Sequence, residues 1–278
     1  MFQTNFDVEL HCMAPEREDD ATYHLSVATS PEPQPSPSGR SICSSCCRPN
    51  PVCLCHVLPT HPIETSTQVL ILHHPHEAHH KLSTTPLLTR SLLRATSVTG
   101  RRLRPGISPL LDRSPPPSAI YLFPATSSTP AVDVSDLNAQ DLTRNGEREL
   151  VLIAFDGTWK HAREMVKASE EFLQSRFAVR VCLGVDESVS GGSIYDSELI
   201  LRKEPFSGCV STMEAVARVL RVLEPNGVEV ESMLIGILRE MVRLQAGFLK
   251  PMNPRPKLLK KSKEKEKRMF EKDDNLKV

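Results

Sequence analysis

Aromatic residues are scarce in this chain of 278 residues: one Trp, three Tyr and nine Phe make up 5%. A core must therefore be built mainly from aliphatic side chains, for which a hydrophobic fraction of 39% is enough. Net charge is also lacking, since 34 Lys and Arg balance 34 Asp and Glu. That argues against a protein that holds nucleic acid by bulk charge alone, but leaves room for local basic patches. No apolar run approaches the length of a membrane span. The N-terminus lacks a basic segment followed by an apolar one, so no signal peptide is expected. Its many acidic residues are unlike an Arg-rich transit peptide. Neither a Rossmann glycine fingerprint nor a P-loop is present, which argues against chemistry driven by NAD or ATP. A reducing compartment, cytoplasmic and/or nuclear, is the expectation.

Eight Cys are present, and in a reducing compartment a Cys cluster reads as a metal site rather than a disulfide framework. Four of them are spaced Cys43-x2-Cys46-x6-Cys53-x-Cys55, two close pairs that can supply a zinc tetrahedron. Cys47 could replace Cys46, and His56 is a further competitor; spacing leaves both open. Four Cys close the coordination shell, so the expected role of Zn2+ is structural rather than catalytic.

The chain divides by composition. Residues 1–40 mix acids, Ser and Pro and read as a disordered tail. Residues 41–58 form the zinc-binding module, 59–250 an α/β domain, and 251–278 a basic disordered tail. Within the domain, apolar runs at Val69–Leu72, Ala119–Phe123, Leu150–Phe155 and Val179–Gly184 read as strands. Helices are expected from about Ser83 to Leu92 and over 159–175, 212–223 and 232–248. The acidic stretch 131–148 shows no clear pattern, and 186–210 reads as a loop with Gly191, Gly192 and Gly208 as breakers. Strands alternating with helices predict an α/β fold with a mostly parallel sheet covered on both faces.

The first strand runs into a His-rich turn, His73-His74-Pro75-His76-Glu77-Ala78-His79-His80. Its irregular spacing and internal Pro favour a polar loop lining a pocket over a second metal site. Arg90 and Arg94, spaced i and i+4, should share a helix face, with Arg101, Arg102 and Arg104 in the loop after it. Each alone reads as a solvated side chain; together they could follow a phosphate backbone.

Asp156-Gly157-Thr158-Trp159 closes the third strand and opens a helix, where open α/β sheets bind ligands. Asp156 could simply cap that helix, and Trp159 could simply be core. The same four residues also supply a carboxylate, a gap, a hydroxyl and a stacking surface. Ser211-Thr212-Met213-Glu214 has the pattern of a capping box, and a helix start is also an anion site.

Taken together these motifs resemble the DTW-domain family over about 41–224. The resemblance rests on the Cys spacing, Val69 to Glu77, Leu122-Phe123-Pro124, Asp156-Gly157-Thr158-Trp159 with Ala162-Arg163, Ser193-Ile194-Tyr195, Leu201-Arg202-Lys203-Glu204-Pro205 and Ser211-Thr212-x-Glu214-Ala215. It implies a SPOUT-like α/β fold with a knotted C-terminal part that binds S-adenosylmethionine. It also implies transfer of a 3-amino-3-carboxypropyl group to N3 of a uridine in tRNA. On that reading Asp156, Thr158 and Trp159 are the catalytic candidates. The cofactor candidates are Leu122, Phe123, Pro124, Asp156, Gly157, Tyr195, Arg202, Ser211, Thr212 and Glu214. The rival readings are an RNA methyltransferase using the same pocket and a non-catalytic zinc-dependent RNA-binding module.

Overall fold

The computed structural model describes residues 41–77, 80, 82–113, 116–126, 129–143, 149–184 and 210–248. Six parallel strands form one sheet, in the order β2-β1-β5-β3-β6-β4. They are β1 (Gln68–His73), β2 (Ala95–Thr99), β3 (Ser118–Leu122), β4 (Val132–Asp133), β5 (Leu150–Asp156) and β6 (Val179–Cys182). The helices among the described residues are α1 (Thr85–Ser91), α2 (Ala139–Leu142), α3 (Trp159–Ser175), α4 (Thr212–Leu223) and α5 (Gly227–Ala246). The parallel sheet with flanking helices is the architecture expected from the alternation of strand and helix patterns.

Side chains alternate across each central strand. In β1, Val69 and Ile71 face one core and Leu70 and Leu72 the other. In β5, Leu150, Leu152 and Ala154 share the first face and Val151, Ile153 and Phe155 the second. The first core is closed by α1, α4 and α5, through Leu87, Leu88, Val216, Leu220, Leu234 and Leu238. The second is closed by α3, through Met165, Val166, Phe172 and Leu173. Covering both faces is why these strands read as continuous apolar runs. Leu54, within the Cys segment, is fully buried in the first core. Each such leucine contributes about 1.5–3 kcal/mol by leaving water.

Several local expectations need correction. Arg94 is not on α1: Leu92 turns extended (φ −114°, ψ 128°), so Arg90 and Arg94 do not share a helix face. The turn is required to deliver the chain into β2, which the sequence did not signal because two of its five side chains, Thr96 and Ser97, are exposed polar groups in mid-strand. The unpatterned 131–148 stretch contains β4 and α2. The last helix starts at Gly227, five residues before the expected Ser232, in the turn that closes α4 onto α5. A Cβ on Gly227 would lie 2.1 Å from the Arg221 carbonyl oxygen, so the close approach of the two helices needs glycine there. Tyr195, Arg202, the knotted segment expected from the resemblance and both tails lie outside the described residues.

Candidate functional site

Strand order places the site. β1 leads through α1 to β2 on one side, and β5 leads through α3 to β6 on the other. β1 and β5 are neighbours, so their carboxyl ends mark the point where the connections diverge, the usual ligand crevice of an open α/β sheet. His73 and Asp156 are register partners at that point.

A cavity of about 440 Å³ opens there, within the range of small-molecule sites. Asp156, Gly157, Thr158 and Trp159 line it, with Leu122, Phe123 and Pro124 from the end of β3 and Ser211 and Thr212 from the start of α4. These segments come from widely separated parts of the chain and meet only in the fold. Ser83, Thr84, Lys160 and Cys182 line it too, and nothing in the sequence pattern singled them out.

Asp156 is held on both oxygens. Thr85 Oγ1 donates to Oδ2 at 2.6 Å and Thr212 Oγ1 to Oδ1 at 2.6 Å, while His73 Nε2 lies 3.4 Å from Oδ2. It is not the cap of α3: Thr158 is, its hydroxyl accepting from the His161 N–H at 3.3 Å. The carboxylate is thereby released from a capping role and fixed by hydroxyls instead. Thr85 is a member of the site that sequence reading missed; the Thr84-Thr85-Pro86 helix start was its only signal.

Gly157 does not have a positive φ. Its reason is close approach: a Cβ would lie 3.1 Å from His161 Cβ and 3.3 Å from His74 Cβ. Trp159 is half-buried rather than core, its ring 6.3 Å from that of Phe123 across the cavity wall. Arg180, only 8% exposed, stiffens that wall from behind. It donates to the Phe123 and Pro124 carbonyls at 3.4 and 2.5 Å, and its guanidinium sits 5.1 Å from the Phe123 ring centroid.

At α4, Ser211 Oγ accepts from the Glu214 N–H at 3.2 Å, one half of the expected capping box. The Glu214 carboxylate is buried and pairs with Arg218 at 2.6 Å. Glu214 is not among the residues lining the cavity. The arginine candidates are dispersed: Arg94, Arg101, Arg102 and Arg104 are exposed and Arg90 half-buried. The loop carrying the last three is pinned by buried Leu103, whose N–H donates to Ser169 Oγ at 2.8 Å.

The Cys segment forms a second centre. The sulfurs of Cys43, Cys46, Cys53 and Cys55 all lie within 4.8 Å of one another. The Cys43–Cys55 and Cys46–Cys53 separations are 3.6 Å, near the edge of about 3.8 Å in a tetrahedron with Zn–S bonds of about 2.3 Å. The donor set therefore fits zinc. Backbone N–H groups of Cys46 and Ser45 lower the Cys43 thiol to about 6, favouring the ligating thiolate. Cys47 stands outside this group in a left-handed turn (φ 53°), and His56 turns away to Glu240 at 2.8 Å.

Among the described residues no helix is long and apolar enough to cross a membrane. The sequence profile of the DTW domain matches residues 40–246. The chain is 58% identical over 230 residues to tRNA-uridine aminocarboxypropyltransferase A of Arabidopsis thaliana, covering 80% of this chain and 87% of that protein. It is 32% identical over 235 residues to tRNA-uridine aminocarboxypropyltransferase 2 of Drosophila melanogaster, covering 82% of each. The Macaca fascicularis protein of the latter name is 30% identical over 202 residues, covering 70% of this chain and 60% of its own. No solved structure matches the chain. With an aspartate-led turn at the sheet crevice, a Cys cluster upstream and a profile match across most of its length, the chain belongs to the DTW-domain family.

Proposed function

We propose that this protein transfers the 3-amino-3-carboxypropyl group of S-adenosylmethionine to N3 of a uridine in tRNA. The observation that carries the reading is the meeting of Asp156-Gly157-Thr158-Trp159 with the α4 start in one cavity, in a chain 58% identical to a relative named for that reaction.

The chemistry sets two demands. Uridine N3–H is a weak acid and must lose its proton as N3 attacks. Attack falls on the γ-carbon of the methionine moiety, so an N–C bond forms as the C–S bond breaks and neutral methylthioadenosine leaves. The γ-carbon, rather than the methyl group, must therefore face the nitrogen.

Asp156 suits the first demand, as base or as acceptor orienting N3–H. An ionised carboxylate offers about four lone-pair sites, and two hydroxyl bonds leave others available. Trp159 and Phe123 supply flat walls, and the N-terminus of α4 with Ser211 and Thr212 is an anion site suited to the cofactor carboxylate. Arg202 and Tyr195 are further cofactor candidates by resemblance. The exposed Arg101, Arg102 and Arg104 suit tRNA phosphates, and a loop or flipped-out uridine would reach the cavity. Zn2+ held by the four Cys would be structural. A cytoplasmic or nuclear site of action is compatible with a tRNA substrate.

Nucleoside mass spectrometry of unmodified tRNA incubated with the protein and S-adenosylmethionine tests this. An aminocarboxypropyl-uridine is the expected product. A methylated nucleoside would transfer the pocket to methyltransferase chemistry, and RNA binding without cofactor binding would leave only the binding module.

A further inference from the structure

Three imidazoles meet beside the Asp156–Gly157 turn. His74 follows β1, His76 lies in the single 3-10 turn Pro75–Glu77, and His161 lies in the first turn of α3. One ligand nitrogen from each can be chosen so that all lie within 4.8 Å of one another. The His74 and His161 rings stack with centroids 3.8 Å apart, and His76 stands edge-on to both at 5.0 and 5.6 Å. The space into which a Gly157 side chain would project is filled by His161 and His74.

Such packing needs a reason, because each neutral imidazole brings an acceptor lone pair that burial must satisfy. His161 Nδ1 is shielded from solvent and has no hydrogen-bond partner. The contacts that do exist are long: the His76 N–H donates to His74 Nδ1 at 3.3 Å, and Arg101 lies 3.4 Å from His76 Nε2. Glu77 brings a carboxylate oxygen to 3.6 Å from His161 Nδ1.

We propose that His74, His76 and His161 form a second metal site, separate from the Cys cluster, that takes a divalent transition cation such as Zn2+, Co2+ or Ni2+. Imidazole donors suit these ions. The cluster has to tighten. Ligand nitrogens of a tetrahedral centre at about 2.0–2.1 Å lie about 3.3 Å apart, so the rings draw in from the 4.8 Å envelope by rotation about χ2. The rotation falls to His161 and His76, because His74 is buried: His161 Nδ1 has no hydrogen bond to lose, His76 is exposed, and its contact with Arg101 is long. The ion would tie the turn after β1 to the first turn of α3, whose His161 lies five residues after Asp156. It would organise the floor of the turn and take no part in the transfer.

The test uses tag-free protein given one equivalent of Zn2+ per chain, which the four thiolates take first, then titrated with Co2+ alone. A second equivalent per chain is expected by elemental analysis, with visible Co2+ absorption and no sulfur-to-metal charge-transfer band. His76→Ala, at an exposed position, should leave the melting temperature of the Zn2+-loaded protein unchanged and weaken the second equivalent more than about tenfold. His161→Gln should do the same to the Co2+ titration. A single equivalent in the wild-type protein overturns the proposal, and so does a second equivalent that His76→Ala leaves at full affinity. Neither result bears on the nucleoside product, so the two readings stand or fall separately.

Discussion

His73 and Asp156 end adjacent parallel strands at the same register position, and the imidazole Nε2 of one lies 3.4 Å from the carboxylate Oδ2 of the other. His73 is 6% exposed and that nitrogen has no hydrogen-bond partner by strict geometry. The pair sits where the sheet's connections diverge, so backbone pairing along β1 and β5 sets where the Asp156 carboxylate stands.

Replacing that carboxylate is the first check on the proposed chemistry. Asp156→Asn keeps the shape but removes the base and leaves Thr85 and Thr212 hydroxyls facing an amide. Turnover should fall by at least about 10²-fold, with the melting point and S-adenosylmethionine binding nearly retained. Turnover at the wild-type rate would take Asp156 out of the mechanism.

Thr85 acts through Asp156. Thr85→Val removes one of two short hydrogen bonds to a charged group, a loss of about 1.5–3 kcal/mol in orientation. The expected reading is a 10- to 100-fold drop in kcat (about 1.4 kcal/mol per decade) with little change in KM. Thr85→Ser should restore most of it, which a purely packing role of the methyl group would not allow.

Gly157→Ala tests close approach. The added methyl would meet His161 Cβ and His74 Cβ at 3.1 and 3.3 Å, and neither atom can swing aside without its backbone. Overpacking of this kind costs about 1–3 kcal/mol. A lowered melting temperature and a turn displaced from the cavity, seen as reduced kcat, are expected. An unchanged protein would mean that the turn yields freely.

Glu240 gives a pH prediction with a definite sign. Arg243 first, then His56, hold its carboxyl at about 2, below the ordinary 4.5. The folded value is the lower one, so the stabilisation is present above the unfolded value and is lost as pH falls from 4.5 towards 2. The partners are largely exposed, and the effect should not exceed about 1 kcal/mol. Glu240→Gln should therefore lower the melting temperature slightly at pH 6, and the difference from wild type should close near pH 2.

Most of the frame was legible in the sequence because its signals are local. The core face of α3, with Ala162, Met165, Val166, Ser169, Phe172 and Leu173, follows from helical spacing alone. The α4 start follows from Ser211 and its cap. β2 was not legible, because an edge strand reading Ala-Thr-Ser-Val-Thr carries little apolar pattern. Arg94 was misplaced because Leu92 and Leu93 extend the apolar run past the point where the backbone turns extended. Thr85 and Arg180 were missed for a different reason. Their partners are 71 and 56 or 57 residues away, and no local pattern encodes such a pairing.

Leu54 lies between Cys53 and Cys55 yet is sealed in the core closed by α5, and His56 meets Glu240 across 184 residues of chain. During synthesis the Cys segment leaves the ribosome well before α5, against which it docks. Zinc can fold the knuckle early, but Leu54 has no place to go until Gly227–Ala246 has been made. Completion of this core thus waits for α5 to be made, and a chain stopped before it would carry a Cys segment with an exposed leucine, a ready target for quality control.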